Sequence, residues 1–436
     1  MSKKNILILF LLITCCAHAQ KAAYIASNHT TKLRGSFAYY DSCFEAARCY
    51  LPEYFPWLEK DRMEIMEIVR KSLAIKDEWV PAIKTQVKGT TRNKDFVVQH
   101  LQSLSWNNCY GAAHLYIPSE GKNKGLPIVL LACGHGDGGK LYPPYQRMAE
   151  YLSSSGIAVL VPDNIGQGER YSMGHYSAPG VFDCGLTVQG LIVMETIGWL
   201  NWIREQKRFD TNKIAVCGNS GGGTLGLFLA SVVPEKFSVL VSSGYPSTFE
   251  YVARKEKPHC HCNIIPGIVG KVEMWQVLGC FAPKSMYLLQ GKSDEFFPVD
   301  IFYQVSRKVG DVYHEEQASM FFKADVFDGT HGWDDERTLK ITQYLCAQFG
   351  TSCKQWDEFA KSTRLVASRC YDEWPHNALN ITRLAEQISG NSTKAKSLRD
   401  VFSPSGIQVE KAKIYYGLPA GDSRDIFAQF DAFLGL

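Results

Sequence analysis

Between Lys213 and Val233 the chain leaves the backbone very few paths. The run Lys213–Cys217 is mostly apolar and breaks into Gly218, Asn219, Ser220 and three further glycines, after which apolar residues resume at helical spacing from Thr224 to Val233. This pattern predicts a buried strand, an abrupt turn and a helix. Gly218-Asn219-Ser220-Gly221-Gly222 fits G-x-S-x-G, and that motif carries chemistry only between a strand and a helix. The turn is so tight that the residues two before and two after the serine must lack side chains, and the serine itself is forced into a strained φ/ψ. In return its hydroxyl stands above the sheet edge, and the Gly221 amide points to where a negative oxygen would form. Alone, the pentapeptide suits a flexible glycine loop equally well. Partners elsewhere in the chain have to decide between the two readings.

Strand-like and helix-like runs alternate around this turn, which predicts an α/β class chain: a mostly parallel twisted sheet with helices on both faces. Phe96–Leu104 and Ala112–Ile117 alternate apolar and polar residues like early antiparallel strands. Pro127–Cys133, Ile157–Val161, Phe237–Val241, Ser285–Gln290 and Ala324–Phe327 read as further strands, the first being continuously apolar, as burial on both faces requires. Helices are expected over Tyr54–Ile75, Tyr145–Ser154, Thr187–Gln206 and Glu336–Phe349. The pattern divides the chain into a signal segment 1–19, an N-terminal helical extension 20–95, a catalytic domain 96–350 and a C-terminal extension 351–436 without a chemical motif. No 20 to 50 residue repeat is present.

A serine hydroxyl is a weak nucleophile near neutral pH, so a base must take its proton and a third group must orient the base. In this architecture the order along the chain is Ser, then Asp or Glu, then His, each on a loop after a strand. Asp294 follows the strand ending at Gln290, and His331, in "FDGTHGW", follows the strand ending near Phe327. Glu295, Asp300 and Asp328 compete with Asp294, although Asp328 is too near His331 in sequence to reach its far nitrogen. The glycine-rich loop Gly134-His135-Gly136-Asp137-Gly138-Gly139 offers free amides, and Gly136 or Asp137 is the expected second oxyanion donor beside Gly221. The loop lacks G-x-x-x-x-G-K-[ST], so it is not a phosphate cradle. His135, Glu169, Tyr245, His261 and Trp333 are candidate pocket residues. Core packing competes for Tyr245 and Trp333, and hydrogen bonding within the loop "PDNIGQGER" competes for Asp163 and Glu169.

"KPHCHCNIIPG" crowds His259, Cys260, His261 and Cys262 together, but their alternation lacks the C-x₂-C or H-x₃-H spacing of zinc modules. A loop over the active site, tied by a disulfide to Cys280 or elsewhere, is expected instead, with no metal and no cofactor.

Lys3 and Lys4, the apolar run Ile6–Ile13 and Ala17-His18-Ala19 form an export-signal pattern with cleavage before Gln20; Leu12-Ile13-Thr14-Cys15 loosely fits a lipoprotein signal as the alternative. An exported, periplasmic or secreted protein is expected. Without the signal, 45 basic residues face 44 acidic ones, and this balance points away from nucleic acid or an anionic membrane as partner. No stretch reaches the ~20 apolar residues of a membrane helix. Of 14 cysteines, twelve follow the signal, an even number that an oxidising compartment could pair. Cys133 and Cys217, in apolar runs, read as buried thiols. Asn28, Asn380 and Asn391 fit the N-glycosylation pattern.

Taken in order, "GHGDGG", "VPDNIGQGER", "AVCGNSGGG", "QGKSDEFFPV" and "DGTHGW" resemble the α/β-hydrolase fold. Within it they resemble secreted acetyl xylan esterase-like and cephalosporin-C deacetylase-like carbohydrate esterases, over residues 60 to 350. The resemblance implies a Ser220, Asp294 and His331 triad and a carbohydrate ester as substrate. Glucuronoyl esterase-like relatives carry arginine directly after the serine, where this chain has Gly221. A peptidase of the prolyl oligopeptidase type would use the same triad, but the segment before residue 96 is too short for its β-propeller. A non-catalytic binding protein on a hydrolase scaffold is the remaining alternative.

Overall fold

The structure is a computed structural model that describes residues 35–119, 124–136, 138–254, 260–362, 367–403 and 423–436. The expected signal segment with Cys15, the Asn28 sequon, Asp137 and His259 lie outside the described residues. Nine strands form one sheet: β1 (Lys84–Arg92), β2 (Phe96–Leu104), β3 (Tyr110–Pro118), β4 (Leu126–Ala132), β5 (Ala158–Pro162), β6 (Phe209–Asn219), β7 (Val239–Ser243), β8 (Ser285–Gly291) and β9 (Phe322–Phe327). Their order is β1-β2-β3-β5-β4-β6-β7-β8-β9. β1, β2, β3 and β5 pair antiparallel in turn, and from β5 onwards every pair is parallel.

Alternate residues of the central strands feed two cores, one on each face of the sheet. Ile128, Leu130, Ile214, Val216, Leu240 and Leu288 enter one, while Val129, Leu131, Ala215, Cys217, Val241 and Leu289 enter the other. A strand covered on both sides has no polar face, which is why these segments read as continuous apolar runs. β1 differs. At the sheet edge its sequence KTQVKGTTR is largely exposed, with a register shift between Val87 and Gly89, so it lacks the apolar pattern that would have revealed it within the expected helical extension.

Two further departures concern the ends of the chain. A helix at Phe37–Cys49 precedes the expected one, which runs from Glu59 to Leu73. Tyr40 stacks on Phe427 at 4.8 Å and donates its hydroxyl to Asp431 Oδ1 at 2.8 Å, so the first described helix packs on the last, Ser423–Leu434. One core cluster contains Phe37, Leu73, Val216, Leu384 and Phe427 together. The boundaries at 95 and 350 therefore mark changes of sequence pattern, and the hydrophobic core crosses both.

The twelve cysteines among the described residues are all free thiols. The expected bridge from the Cys260–Cys262 loop to Cys280 or elsewhere does not form: all three thiols are free, and Cys280 is buried and donates to the Gln276 carbonyl at 3.3 Å. Among the described residues, no helix is long and apolar enough to cross a membrane.

β4 is the fifth of the nine strands across the sheet, with β5 on one side and β6 on the other. The chain reverses its winding direction here, and such a point opens a crevice at the carboxyl ends of the strands. The loops after β4 and β6 meet in that crevice, with Ala132 paired to Gly218.

Candidate active site

Ser220 follows β6 and caps the helix Gly221–Val232, with φ 56° and ψ −119°. A non-glycine residue rarely adopts this backbone conformation, and the surroundings must hold it there. Its amide donates to the Ser243 carbonyl at 2.9 Å, which ties the turn to β7. The flanking glycines are sterically obligatory: a Cβ on Gly218 would lie 2.5 Å from the Gly222 backbone, and one on Gly222 would lie 2.0 Å from the Ala132 carbonyl oxygen. The helix begins three residues before the sequence pattern places it, directly after the serine, so the positive end of its dipole falls on this turn.

His331, on the loop after β9, lines the same cleft as Ser220. Its Nδ1 lies 2.9 Å from Asp294 Oδ2, and the Asp294 side chain has no exposed surface. Asp294 Oδ1 accepts from the amides of Phe296 and Phe297 at 2.8 and 2.9 Å. Burial opposes its charge, but the His331 ring and these two amides outweigh burial and hold the carboxyl below the ordinary aspartate range. Among the competing carboxylates, Glu295 accepts the backbone amide of His331, Asp328 pairs with Lys292 on the surface, and Asp300 lies in the first turn of the helix Val299–Glu315. The ring contacts Phe296 edge-on at 4.8 Å, and Asn219 Nδ2 donates to the His331 carbonyl at 3.3 Å.

Two hollows meet at Ser220 and His331. The larger, about 320 Å³, is walled by His135, Tyr176, Gly221, Tyr245, Cys260, Asn263, Phe296 and Phe297. The second, about 310 Å³, is lined by Gly134, His135, Gly136, Gly138 and Gly139 with Tyr142, Tyr145 and Trp333. The Gly134 amide is taken up by the Tyr145 hydroxyl at 2.6 Å, whereas Gly136 is exposed in the second hollow.

Solved structures share this arrangement of sheet and helices. A methylesterase superposes with a TM-score of 0.61 at 17% identity, over 81% of this chain and 79% of its own. A Bacteroides fragilis protein assigned as an acetyl xylan esterase gives 0.55 at 16%, over 66% and 82%. A glucuronoyl esterase from Teredinibacter turnerae gives 0.53 at 13%, over 70% and 90%. The chain has the α/β-hydrolase fold. No family profile matches it, and no curated protein does.

Within this fold, two of the expected pocket residues face elsewhere. Glu169 receives the amides of Cys370 and Tyr371 from the C-terminal segment and contacts Lys140 Nζ. Lys140 also reaches Asp163 Oδ2 at 2.7 Å, and all three side chains are buried. The two carboxylates outweigh burial and raise the lysine above its ordinary range. A Cβ on Gly139 or Gly168 would fall 2.3 Å from Asp163 Oδ1, so both glycines make room for this cluster. His261 is buried under Phe182, and its Nδ1 accepts the Ala178 amide at 2.8 Å. Tyr245, Trp333 and His135 do line the hollows.

The crevice also contains a group that local spacing had argued against. His135, His175, Cys260 and Cys262 place their ligating atoms within 4.8 Å of one another. His175 carried no signal in the sequence, because it stands 40 residues after His135 and 85 before Cys260. The zinc-module spacing rule applies to pairs on one short loop, and this group is assembled from loops after β4, β5 and β7.

Proposed function

We propose that this chain is a serine esterase that cleaves small carboxylic esters on carbohydrates, such as acetyl or methyl esters of plant polysaccharides or oligosaccharides. The observation that carries the reading is the His331–Asp294 pair at 2.9 Å in the cleft that also exposes Ser220 on its strained turn. Ser220 Oγ attacks the ester carbonyl while His331 Nε2 takes its proton, and the imidazolium returns that proton to the leaving alcohol. Asp294 keeps the proton of the neutral ring on Nδ1 and stabilises the imidazolium. The Gly221 amide and one from the Gly136–Asp137 stretch bind the oxyanion, and loss of one such donor typically costs about 10² to 10³ in rate. Water, activated by the same histidine, then releases the acid from Ser220. No cofactor enters these steps.

The carbohydrate assignment is supported by the fold shared with carbohydrate esterases and by the aromatic rings at the cleft. Phe296 is 47% exposed and Tyr176 44% exposed, and each offers an apolar face against which a sugar ring can lie.

Ser220→Ala tests the chemistry. Turnover of an aryl acetate should fall to near background with the circular dichroism spectrum unchanged, and full retained activity would overturn the assignment. Acid release from a panel of acetylated and methyl-esterified plant polysaccharides identifies the ester.

A further inference from the structure

We propose that His135, His175, Cys260 and Cys262 bind one zinc ion, in a closed tetrahedral site that forms part of the wall of the crevice beside Ser220. Two imidazoles and two thiols are a common zinc ligand set, and a set without oxygen ligands disfavours calcium and magnesium. The spacing fits. His135 Nε2 lies 3.1 Å from His175 Nε2 and 3.0 Å from Cys262 Sγ, and Cys262 Sγ lies 3.2 Å from Cys260 Sγ. Around tetrahedral zinc, bond lengths of about 2.0–2.1 Å to nitrogen and 2.3 Å to sulfur put neighbouring donors roughly 3.4 to 3.8 Å apart. These three edges need to open by about 0.3 to 0.6 Å, while the widest separation, within 4.8 Å, has to close by roughly 1 Å.

The surroundings of the two histidines favour the same assignment. His175 is buried, and its Nδ1 lies 2.7 Å from the Ile165 carbonyl oxygen, so Nδ1 carries the proton and the Nε2 lone pair faces the cluster. A backbone carbonyl on the far nitrogen is the usual way a metal-binding histidine is oriented. Gln167, also buried, brings Nε2 to 3.4 Å from His175 Nε2, and its Oε1 has no hydrogen-bond partner among the described residues. Zinc would replace that long contact, together with the 3.6 Å contact from Cys260 Sγ to the His175 carbonyl oxygen. Binding displaces the two thiol protons, so two thiolates balance the ion and the site is neutral.

With four protein ligands the ion has no open position, and its role is to join three loops. One consequence rests on the esterase reading. A Cβ on Gly221 would lie 3.0 Å from His135 Nδ1, so that nitrogen sits over the turn next to Ser220. When zinc takes Nε2, the ring proton must reside on Nδ1, which places a donor over the Gly221 turn.

The metal site is tested without turnover. The full chain is reduced, stripped with a chelator, refilled with zinc and passed through a desalting column, and zinc and protein are then quantified. The expected result is one zinc per chain, falling at least about ten-fold in the Cys260→Ser, Cys262→Ser double variant. Cobalt in place of zinc should show thiolate-to-metal charge-transfer bands in the wild type. Less than a tenth of an equivalent in folded wild-type protein, or equal retention by the double variant, would overturn the proposal. So would a Cys260–Cys262 disulfide in reduced, zinc-treated protein. Ser220→Ala should retain zinc whatever its effect on hydrolysis, so the esterase reading and the metal site can fail independently.

Discussion

Asp294 makes one side-chain contact to His331 Nδ1, at 2.9 Å, and its other oxygen is held by two backbone amides of the same loop. The carboxylate is thereby fixed in position and in charge before any substrate arrives, and the imidazole is fixed through it. In the proposed mechanism this is what leaves Nε2 free to take the serine proton.

Asp294→Asn should preserve the shape of the pair and reverse the tautomer, lowering kcat for an aryl acetate by about 10⁴. Stability should follow the depressed pKa. The carboxylate's contribution is complete above its unfolded value of about 3.9 and is lost as pH falls through the lower folded value. The difference in thermal midpoint between wild type and variant, measured from neutral pH downwards, should close in that acidic range.

Gly222→Ala places a methyl group 2.0 Å from the Ala132 carbonyl oxygen, a backbone atom that cannot yield without moving β4. Loss of both activity and soluble yield is expected. Gly226→Ala, one helical turn later, meets side-chain ends alone, Leu240 Cδ1 at 2.9 Å and Val216 Cγ1 at 3.9 Å, and should change the urea midpoint far less. Activity and urea titrations of the two variants together check this.

Lys140→Met removes the cation between Asp163 and Glu169, both of which are buried. Leaving buried charge unpaired typically costs about 3 to 5 kcal/mol, and urea unfolding should show a loss of that order. Adding Asp163→Asn and Glu169→Gln should recover part of it.

Glu273 caps the helix Met274–Gly279, and burial pushes its carboxyl up to about 7. A raised carboxyl pKa means the folded state holds a proton that the unfolded state has already released. Its contribution is complete below about 4.3 and is lost as pH rises towards the folded value. Glu273→Gln keeps a capping oxygen without the proton equilibrium, so its thermal midpoint should fall less than that of the wild type between pH 5 and pH 8.

Some of this was legible in the residues alone because it is local. A five-residue turn with glycines at fixed positions leaves only a few steric solutions, and a strand buried on both faces must be apolar throughout, so the elbow at Ser220 and the central sheet could be read from short windows. The order of the loops along the chain pointed to Asp294 and His331, and the fold brings their side chains to 2.9 Å. β1 was hidden because an edge strand needs no apolar face.

The rest depended on residues far apart in the chain. Glu169 looked like a pocket acid until Lys140 and the amides of Cys370 and Tyr371 took it up. His175 was unremarkable until folding set its Nε2 against His135 and the cysteine pair. Sequence by itself determined the central strands, the elbow and the chemistry each loop can offer, because sterics and hydrophobic periodicity act over a few residues. Only tertiary structure decided which side chains meet, because convergence at the carboxyl ends of β4, β5 and β7 is a property of the whole sheet.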